Sequence, residues 1–370
     1  MQTAATSGEN DQAQSDRDCA ARIRQLGLAL GFSAVGFADI DLEGEAAGYN
    51  AWLEAGHHGD MEYMAAHGSK RWRPAELVPG TRSVICVLLD YWPTQARDAR
   101  EVLEQPQRAY LSRYALGRDY HKVLRQRLER FARAIHETIV PHRWRVFTDS
   151  APVMEIPLAL KAGLGWRGKH TLLLNRDRGS LFFTGEIYTS LELPPGKLAS
   201  SHCGTCRACL ELCPTQAIVA PYRLDARRCV SYLTIEHKGS IPIELRPLIG
   251  NRIYGCDDCQ LVCPWNKYAR RTPLPDFEPR HGLDNALLVE LFLWNEKDFL
   301  ARTEGSSIRR IGHERWLRNL AVALGNALRL LPQACERERI VNALCKRADD
   351  PSALVREHVA WALEQARTTQ

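Results

Sequence analysis

The sequence predicts a multidomain α+β protein, with a mixed helix–strand domain, a compact cysteine-rich domain and a helical C-terminal domain in chain order. Three observations predict this division. The chain has 370 residues, more than a single compact core usually holds. Eight of its twelve cysteines are confined to residues 203–263. Beyond a proline-rich stretch that follows them, the apolar residues recur at helical spacing.

Residues 19–200 are predicted to form the mixed α/β domain, and the polar residues 1–18 to form a disordered tail. Apolar periodicity is clearest in residues 121–139, where Val123, Leu128 and Ile135 share one helical stripe. The predicted elements are a helix over 20–30, strands over 34–37 and 83–91, a helix over 121–139, a strand over 145–148, a helix over 155–162 and strand or hairpin structure over 180–191.

The composition argues against a membrane-spanning protein and against an exported one. The longest apolar run, from Val84 to Leu89, is six residues, against roughly 20 needed to cross a bilayer. The first residues have no apolar core of the kind that an export signal needs. We therefore expect a cytoplasmic protein without membrane contact, in which disulfides are unfavourable and the cysteines need another explanation. A net charge of +5 is too small to indicate nucleic-acid binding by itself, so any basic surface must be local.

The cysteine spacing is the strongest chemical signal. Cys203, Cys206, Cys209 and Cys213 follow the C-x2-C-x2-C-x3-C-P run of bacterial ferredoxins, in which three close thiolates hold one cluster and the fourth ligates a second. A second, incomplete run ends in another Cys-Pro pair and consists of Cys256, Cys259 and Cys263. The upstream Cys229 brings the total to eight cysteines, enough for two sites of four. We assign two [4Fe–4S] clusters in a ferredoxin-like domain over residues 201–272, the first held by Cys203, Cys206, Cys209 and Cys263, the second by Cys213, Cys229, Cys256 and Cys259.

The alternative for these eight cysteines is a pair of structural zinc sites, which also use short C-x2-C loops. Zinc ribbons seldom show the two-two-three spacing followed by proline, so iron–sulfur clusters are favoured. The four other cysteines, Cys19, Cys86, Cys335 and Cys345, lie in helix or strand patterns and are predicted to be small core residues. Two clusters transfer electrons to an acceptor, which we expect in the preceding domain.

Residues 280–370 are predicted to be helical and to follow a proline-rich linker. The segments 321–324 and 360–363 are similar Ala/Leu-rich helix cores at an offset of 39 residues, which suits HEAT-like helical repeats. The alternative is a plain helical subdomain, because Ala/Leu-rich helices resemble one another by chance.

The mixed domain and the cysteine-rich region contain several short segments that together are specific for one protein family. No G-x-G-x-x-G follows a predicted strand, and no P-loop motif is present. Together with the ferredoxin-type cysteines, the chain resembles the epoxyqueuosine reductases over about residues 19–270, and its helical tail is similar too. The segments that carry the resemblance are Ser69-Lys70-Arg71, Arg113-Tyr114-Ala115-Leu116-Gly117-Arg118-Asp119-Tyr120-His121, Thr148-Asp149-Ser150-Ala151-Pro152, Gly165-Trp166-Arg167-Gly168-Lys169-His170, Cys229-Val230-Ser231-Tyr232-Leu233-Thr234 and Gly250-Asn251-Arg252-Ile253-Tyr254-Gly255-Cys256-Asp257.

The resemblance implies an oxidoreductase that uses base-off cobalamin to reduce epoxyqueuosine to queuosine at the wobble position of a tRNA anticodon. The D-x-H-x-x-G signature of enzymes with histidine on cobalt is absent, so His121 is expected to begin a helix instead. The resemblance places the proton donor at Asp149, whose pKa we expect desolvation to raise. The alternative for Asp149 is a helix N-cap, because it precedes a helical segment.

The resemblance also implies a set of cofactor contacts around the corrin. Ser112 departs from the family pattern, because some relatives carry cysteine at that position, which puts a redox role for this side chain in doubt. The expected cofactor-binding residues are Arg71, Ser112, Asp149, Lys169, His170, Thr171 and Ser231.

The expected tRNA partner carries a GUN-type anticodon, and the helical tail is expected to bind it. Residues 301–347 hold ten Lys/Arg and four Asp/Glu, although a charged helix surface is usually only solvated. Trp265 and Tyr268 are considered as platforms for unstacked bases, with core packing as the alternative. We expect a monomer that receives electrons from an external low-potential donor. The expected substrate-binding residues are Lys238, Arg309, Arg310, Arg315 and Arg318.

Three rival functions make different predictions. A reductive dehalogenase pairs base-off cobalamin with two clusters, but typically has an export signal and no basic helical tail. A ferredoxin-type electron carrier does not need about 180 residues of α/β domain ahead of its clusters. A structural zinc or RNA-binding module would be colourless, whereas an iron–sulfur protein is brown.

Overall fold

The computed structural model describes residues 4–367 and gives a mixed helix–strand architecture. The α-helices of this range are α1 Ala4–Ala29, α2 Glu43–Glu54, α3 Glu62–Ala65, α4 Pro74–Leu77, α5 Ala99–Leu103, α6 Tyr120–Thr138, α7 Glu155–Lys161, α8 Ala208–Glu211, α9 Val230–Ile235, α10 Arg246–Ile249, α11 Asp258–Leu261, α12 Leu288–Phe292, α13 Glu296–Arg302, α14 Gly312–Leu330, α15 Ala334–Cys345 and α16 Ala353–Gln365. None of them is both long and apolar enough to cross a bilayer.

The strands form one main sheet and three small pairs. The main sheet has the order β1-β2-β7-β4, and every neighbouring pair in it is antiparallel. The mixed content predicted for the first domain is confirmed, but the parallel strands that an α/β domain implies are absent from this sheet. The strands are β1 Ala34–Ala38, β2 Ser83–Asp90, β3 Tyr110–Leu111, β4 Trp144–Phe147, β5 Trp166–Arg167, β6 Leu173–Leu174, β7 Phe182–Thr189, β8 Ile218–Ala220, β9 Arg223–Leu224 and β10 Arg252–Tyr254.

The central strand β2 is buried on both faces, which explains its unbroken apolar sequence. Ile85 and Val87 point into the core formed with α1 and α6, whereas Val84 and Leu88 point into the core formed with α7. Helix α6 therefore covers one face of the sheet and α7 the other. This arrangement places the chain after β4 and the start of α7 at one edge of the sheet.

The N-terminal prediction is wrong for residues 4–18, which form the first part of α1 instead of a disordered tail. Residues 1–3 of that prediction lie outside the described range. The segment contains alanine and glutamine, which are good helix formers, and it continues from a second half anchored by the buried Ala20 and Ile23. The prediction failed because it weighed polarity and overlooked this anchoring.

The helical C-terminal region is not separate from the cysteine-rich region, because the two share a hydrophobic core. That core joins residues of α9 and β10 to residues of α12 through α16, and Cys229 and Cys256 pack against it. The predicted linker contains a short 3-10 helix, Pro275–Phe277, with Phe277 buried in the sheet core. The segment that the prolines predicted to be a linker between domains is therefore part of the packed structure.

The two similar segments of the tail lie in helices that contact each other. Segment 321–324 belongs to α14 and 360–363 to α16, and a Cβ added to Gly325 would lie 2.6 Å from the Trp361 ring. The glycine allows this close approach of the helices. Of the cysteines predicted to be core residues, Cys86 is buried, but Cys335 and Cys345 are exposed on α15.

Candidate active site

Two cavities meet where the sheet domain contacts the cysteine-rich region, and each collects four cysteines. The smaller, of about 250 Å³, is lined by Cys203, Cys206, Cys209 and Cys263. The larger, of about 420 Å³, is lined by Cys213, Cys229, Cys256 and Cys259. The structure thus brings the cysteines together in the two groups that the spacing predicted, including Cys229 from outside either run.

The local chain explains how these thiols converge. Cys209 lies in α8 and Cys259 in α11, two helices of one turn that are in contact with each other. Cys229 occupies the N-cap of α9, where the chain leaves an extended conformation and its side chain can face the second group. Each Cys-Pro pair redirects the chain away from a group, because proline cannot continue the preceding hydrogen-bonding pattern.

The donor set fits iron–sulfur clusters better than single ions. Burial and the neighbouring Cys263, Cys203 and Cys206 raise the pKa of Cys209 to about 11. Metal binding releases the protons of such thiols, and a cavity between four of them suits a centre larger than one ion.

Asp257 fixes the second thiol group to the sheet domain and was missed by sequence reasoning. Its buried carboxylate accepts hydrogen bonds from the Tyr110 hydroxyl (2.7 Å), the Arg113 backbone N–H (2.8 Å) and the Ser112 hydroxyl. Because Asp257 stands between Cys256 and Cys259, these bonds hold the C-x2-C loop in place. An acidic residue inside a C-x2-C loop was the available signal.

Asp149 lines the larger cavity. It follows β4 with a positive φ of 53°, and its side chain is 54% exposed. Its Oδ2 accepts a hydrogen bond from the Tyr120 hydroxyl and lies 3.1 Å from His121 Nε2. His121 Nδ1 is 2.8 Å from Asp119 Oδ1. Asp119 is the N-cap of α6, so His121 lies in the first turn of that helix, as predicted.

The expected rise in the pKa of Asp149 is wrong. Partial desolvation by the surrounding protein raises this pKa, but hydrogen bonds from His121 and Tyr120 and the His121 charge outweigh it and lower the pKa. Burial lowers the pKa of His121, but hydrogen bonds to Asp119 and Asp149 raise it to about 9. At neutral pH the proton of this pair therefore rests mainly on the imidazole, next to the carboxylate that faces the cavity.

Five of the seven expected cofactor-binding residues line the larger cavity: Ser112, Asp149, His170, Thr171 and Ser231. His170 also lines the smaller cavity, and its buried Nε2 has no hydrogen-bond partner within the described range. Burial lowers the pKa of His170 to about 4, so the ring is neutral.

The structure does not place the other two expected contacts in the larger cavity. The Arg71 guanidinium donates to the backbone carbonyls of Ala66 (3.2 Å) and Tyr63 and lines neither cavity. Lys169 lines the smaller cavity, where its Nζ donates to the carbonyls of Gly204 (2.7 Å) and Cys206 (2.8 Å). Arg71 therefore stabilises a turn, and Lys169 stabilises the first cysteine loop.

The five expected tRNA contacts differ in accessibility. Lys238, Arg309 and Arg310 are exposed. Arg318 is 0% exposed and donates to the carbonyls of Leu233, His237 and Gly239, so its assignment to the RNA surface is wrong. It lies in the part of α14 that is buried on all sides, where a guanidinium must find partners inside the protein. The half-buried Arg315 likewise donates to the carbonyls of Ile311 and Ile235.

Arg310 lies close enough to the site for its charge to act on Asp149. It forms an ion pair with Glu236, and its charge contributes to lowering the pKa of Asp149. The nearby Tyr63 is 52% exposed, and the charges of Glu236, Arg310 and Asp149 act on its hydroxyl. Sequence reasoning did not select this tyrosine. Trp265 and Tyr268 line the smaller cavity and not the larger one, which Asp149 lines.

Comparisons with known proteins agree with this geometry. Residues 71–150 match the family model described as "Epoxyqueuosine reductase QueG, DUF1730" and residues 202–266 match a "4Fe-4S double cluster binding domain". The epoxyqueuosine reductase of Pseudomonas aeruginosa is 59% identical over 344 residues, 93% of each chain. That of Escherichia coli is 54% identical over 346 residues, which cover 94% of this chain and 89% of the relative.

Solved structures agree as well. A crystal structure of an epoxyqueuosine reductase with an epoxyqueuosine-modified tRNA-Tyr stem loop matches with a TM-score of 0.80 at 26% identity, over 95% of this chain and 100% of that one. The epoxyqueuosine reductase from Streptococcus thermophilus matches with a TM-score of 0.83 at 25% identity, over 95% of this chain and 90% of that one. The chain belongs to the epoxyqueuosine reductase family, and it is an oxidoreductase.

Proposed function

We propose that this protein reduces epoxyqueuosine to queuosine in tRNA, with electrons passing through two [4Fe–4S] clusters to a base-off cobalamin. The observation that carries the proposal is the larger cavity, which has four thiols in one part of its wall and Asp149 in another. A reductive site needs both an electron source and a proton source at the reacting bond. The relative crystallised with an epoxyqueuosine-modified tRNA stem loop supports the choice of substrate.

The walls of the larger cavity suit a flat macrocycle. Tyr120 and Phe183 stack at 4.3 Å between ring centroids, and Tyr114 meets both rings edge-on. Thr171 and Ser231 present hydroxyls, and the unpartnered His170 Nε2 offers a buried polar atom for the amide side chains of a corrin. When bound there, cobalamin would supply a low-potential cobalt centre that stores electrons delivered one at a time.

Asp149 is proposed as the proton donor to the departing epoxide oxygen. The carboxylate faces the cavity, and the His121 and Tyr120 protons are within hydrogen-bonding distance of it. Asp119 holds the imidazole in the orientation that points Nε2 at Asp149. In this arrangement Asp149 transfers the proton at the reacting oxygen, and its neighbours hold the proton until then.

Lys238, Arg309 and Arg310 are proposed to bind the phosphates of the anticodon stem loop, and Tyr63 to stack on an unpaired base. An external one-electron donor would reach the first thiol group at Cys206, which is exposed. The protein is proposed to act as a monomer in the cytoplasm.

Replacing Arg310 by alanine is expected to weaken binding of the tRNA stem loop severalfold and to lower the salt slope of the affinity by about one. The change removes a cation beside the site and leaves Glu236 without this ion-pair partner. The local electrostatic potential then becomes more negative, which disfavours a bound phosphate. Fluorescence anisotropy over a salt series measures both quantities. Arg133→Ala, on the exposed face of α6, is the matched control. An unchanged salt slope in Arg310→Ala would exclude a phosphate contact.

The proposed function is tested by anaerobic incubation of the iron-loaded protein with epoxyqueuosine-containing tRNA, cobalamin and a low-potential reductant. Nucleoside analysis by mass spectrometry is expected to show queuosine, and omission of cobalamin is expected to abolish it. Queuosine formed equally well without cobalamin would refute the cofactor assignment. No queuosine from protein that carries both clusters and cobalamin would refute the function.

A further inference from the structure

The segment that carries Tyr63 is anchored by two different parts of the protein. It consists of the loop after α2 and the one-turn helix α3, residues 55–66. On the side of the sheet domain, the buried Arg71 donates hydrogen bonds to the backbone carbonyls of Tyr63 and Ala66. The turn that Arg71 stabilises is therefore the turn that presents the half-exposed Tyr63 ring.

The second anchor joins this segment to the cysteine-rich region through Asp60. The Asp60 backbone N–H donates to the Tyr232 hydroxyl at 2.8 Å, and Asp60 Oδ2 lies 2.7 Å from His237 Nδ1. His237 Nε2 lies 2.9 Å from the Ser240 carbonyl oxygen, so both ring nitrogens face acceptors, an arrangement that an imidazolium satisfies. Desolvation raises the pKa of Asp60, but the hydrogen bonds from His237 and Tyr232 outweigh it and lower the pKa. The Asp60–His237 contact is therefore a charge-assisted hydrogen bond.

Gly59 allows the segment to approach Tyr232 this closely. Its φ is +56°, and a Cβ added there would lie 2.4 Å from the Tyr232 hydroxyl oxygen. Glycine adopts this conformation without strain, and it leaves the space that the tyrosine fills. A side chain at position 59 would push the segment away from Tyr232. The backbone next to Asp60 is thus built for this contact.

The turn that contains His237 also carries Lys238, and its backbone is fixed separately. The buried Arg318 donates to the carbonyls of His237 (2.7 Å) and Gly239 (2.8 Å), the residues on either side of Lys238. Lys238 itself is exposed. Arg318 therefore holds the backbone of an exposed lysine in place, and Asp60 attaches the neighbouring segment to the same turn.

We propose that Asp60 is a positioning residue for tRNA binding, which fixes the aromatic contact of Tyr63 relative to the cationic contact of Lys238. The inference rests on the proposed function, because it concerns two of the tRNA contacts proposed there. The ligand that suits this pair presents an unpaired base and a phosphate at one fixed separation. Contacts that are ordered before binding lose less conformational entropy on binding, so they bind more tightly. Asp60 acts through these two residues and does not touch the reacting atoms.

The charge of Asp60 by itself predicts the opposite effect on tRNA binding. Asp60 is an anion whose side chain is 46% exposed, beside a surface proposed to bind phosphate. Removing this anion lowers the repulsion of phosphate, so a purely electrostatic effect would strengthen binding. If Asp60 instead positions Tyr63 and Lys238, its removal releases both and weakens binding. The sign of the change in affinity therefore distinguishes the two effects.

The test compares wild type with Asp60→Ala in binding of the tRNA stem loop and in steady-state turnover. Asp60→Ala is expected to raise Kd and KM for tRNA about threefold to tenfold, the effect of releasing one or two ordered side chains. The value of kcat is expected to stay within about twofold, because the change affects binding and not the chemical step. An exposed ion pair contributes little to stability, so the variant is expected to fold. Glu62→Ala, which removes an exposed anion from α3 itself, is the matched control and is expected to bind tRNA at least as tightly as wild type.

A second comparison asks whether Asp60 acts through the two proposed contacts. Asp60→Ala is introduced into protein that already carries Tyr63→Ala and Lys238→Ala, where it is expected to cause little further loss of affinity. Hydrogen–deuterium exchange gives a readout that does not depend on turnover. The backbone amides of residues 56–66 and 237–240 are expected to exchange faster in Asp60→Ala than in wild type or Glu62→Ala.

Tyr232→Phe provides an independent variant if Asp60→Ala does not fold. It removes only the hydroxyl that accepts the Asp60 backbone N–H, and phenylalanine keeps the ring in the core. It is expected to change Kd, KM and hydrogen exchange in the same direction as Asp60→Ala, again with kcat nearly unchanged.

Several outcomes would overturn the positioning role of Asp60. They are unchanged or tighter stem-loop binding in Asp60→Ala, a full loss of affinity in the Tyr63→Ala and Lys238→Ala background, unchanged hydrogen exchange, or a fall in kcat at unchanged KM. Each can be observed while wild-type protein binds the stem loop and makes queuosine, so each refutes this role alone. Wild-type protein that makes no queuosine refutes the proposed function instead.

Discussion

Replacing Asp149 by asparagine is expected to slow the conversion of epoxyqueuosine at least about a hundredfold. The amide has no transferable proton near neutral pH, and it disrupts the pairing with the Tyr120 hydroxyl and His121 Nε2. Asparagine tolerates the positive φ of 53° better than most residues, so the backbone of the loop is expected to stay in place. Single-turnover kinetics with prereduced protein measures the effect without the electron-delivery steps.

Two comparisons separate this catalytic role from a structural one. A helix-capping aspartate contributes about 1 kcal/mol of stability, and its loss would leave the rate nearly unchanged. Asp349→Asn, at an exposed position that lines neither cavity, is the matched control. The cob(II)alamin paramagnetic signal should persist in Asp149→Asn, without splitting from an axial nitrogen. Near-normal turnover with that signal intact would remove Asp149 from the mechanism.

Replacing Cys229 by alanine is expected to reduce iron content from about eight to about four atoms per chain after anaerobic reconstitution. Cys229 supplies the fourth thiol of the second group from the N-cap of α9. With three thiols left, the cluster nearer to Asp149 loses a ligand and electrons no longer reach the larger cavity. Turnover is therefore expected to fall below detection while the first group keeps its iron.

Iron and acid-labile sulfide assays, with paramagnetic spectra of the reduced protein, measure this loss. Cys345→Ala, at an exposed position on α15, is expected to keep the full iron content and serves as the control. Full iron content and normal activity in Cys229→Ala would show that another residue completes the second group.

The cysteine grouping was predictable because ligand spacing is a local property of the chain. Three thiols in one tight loop face one centre whatever the surrounding fold, and counting to four then required Cys229. The strands β1 and β2 and helix α6 were predictable for a similar reason, because the spacing of apolar residues within each short segment indicates the type of element. The antiparallel order of the sheet was not, because its neighbouring strands are far apart in sequence.

The surroundings of Asp149 could not be predicted from the sequence. Its position at a strand end was predicted by the strand over 145–148, but its pKa depends on Tyr120 and His121, which α6 brings from earlier in the chain. The burial of Arg318 had a usable signal. Arg318 stands between Leu317 and the apolar run from Leu320 to Leu324, so it lies in the most apolar part of α14, which is typical of the part of a helix that enters a core. The prediction counted the basic residues of 301–347 and did not consider the apolar residues that surround Arg318.

The core shared by the cysteine-rich region and the C-terminal helices has a consequence for biosynthesis. Residues 203–263 leave the ribosome before α12 through α16, which complete the core against which Cys229 and Cys256 pack. The packing behind Cys229 and Cys256 is therefore complete only once the last helix has been synthesised and docked. The order of translation thus makes the rigidity of the second thiol group depend on the last part of the chain to be made.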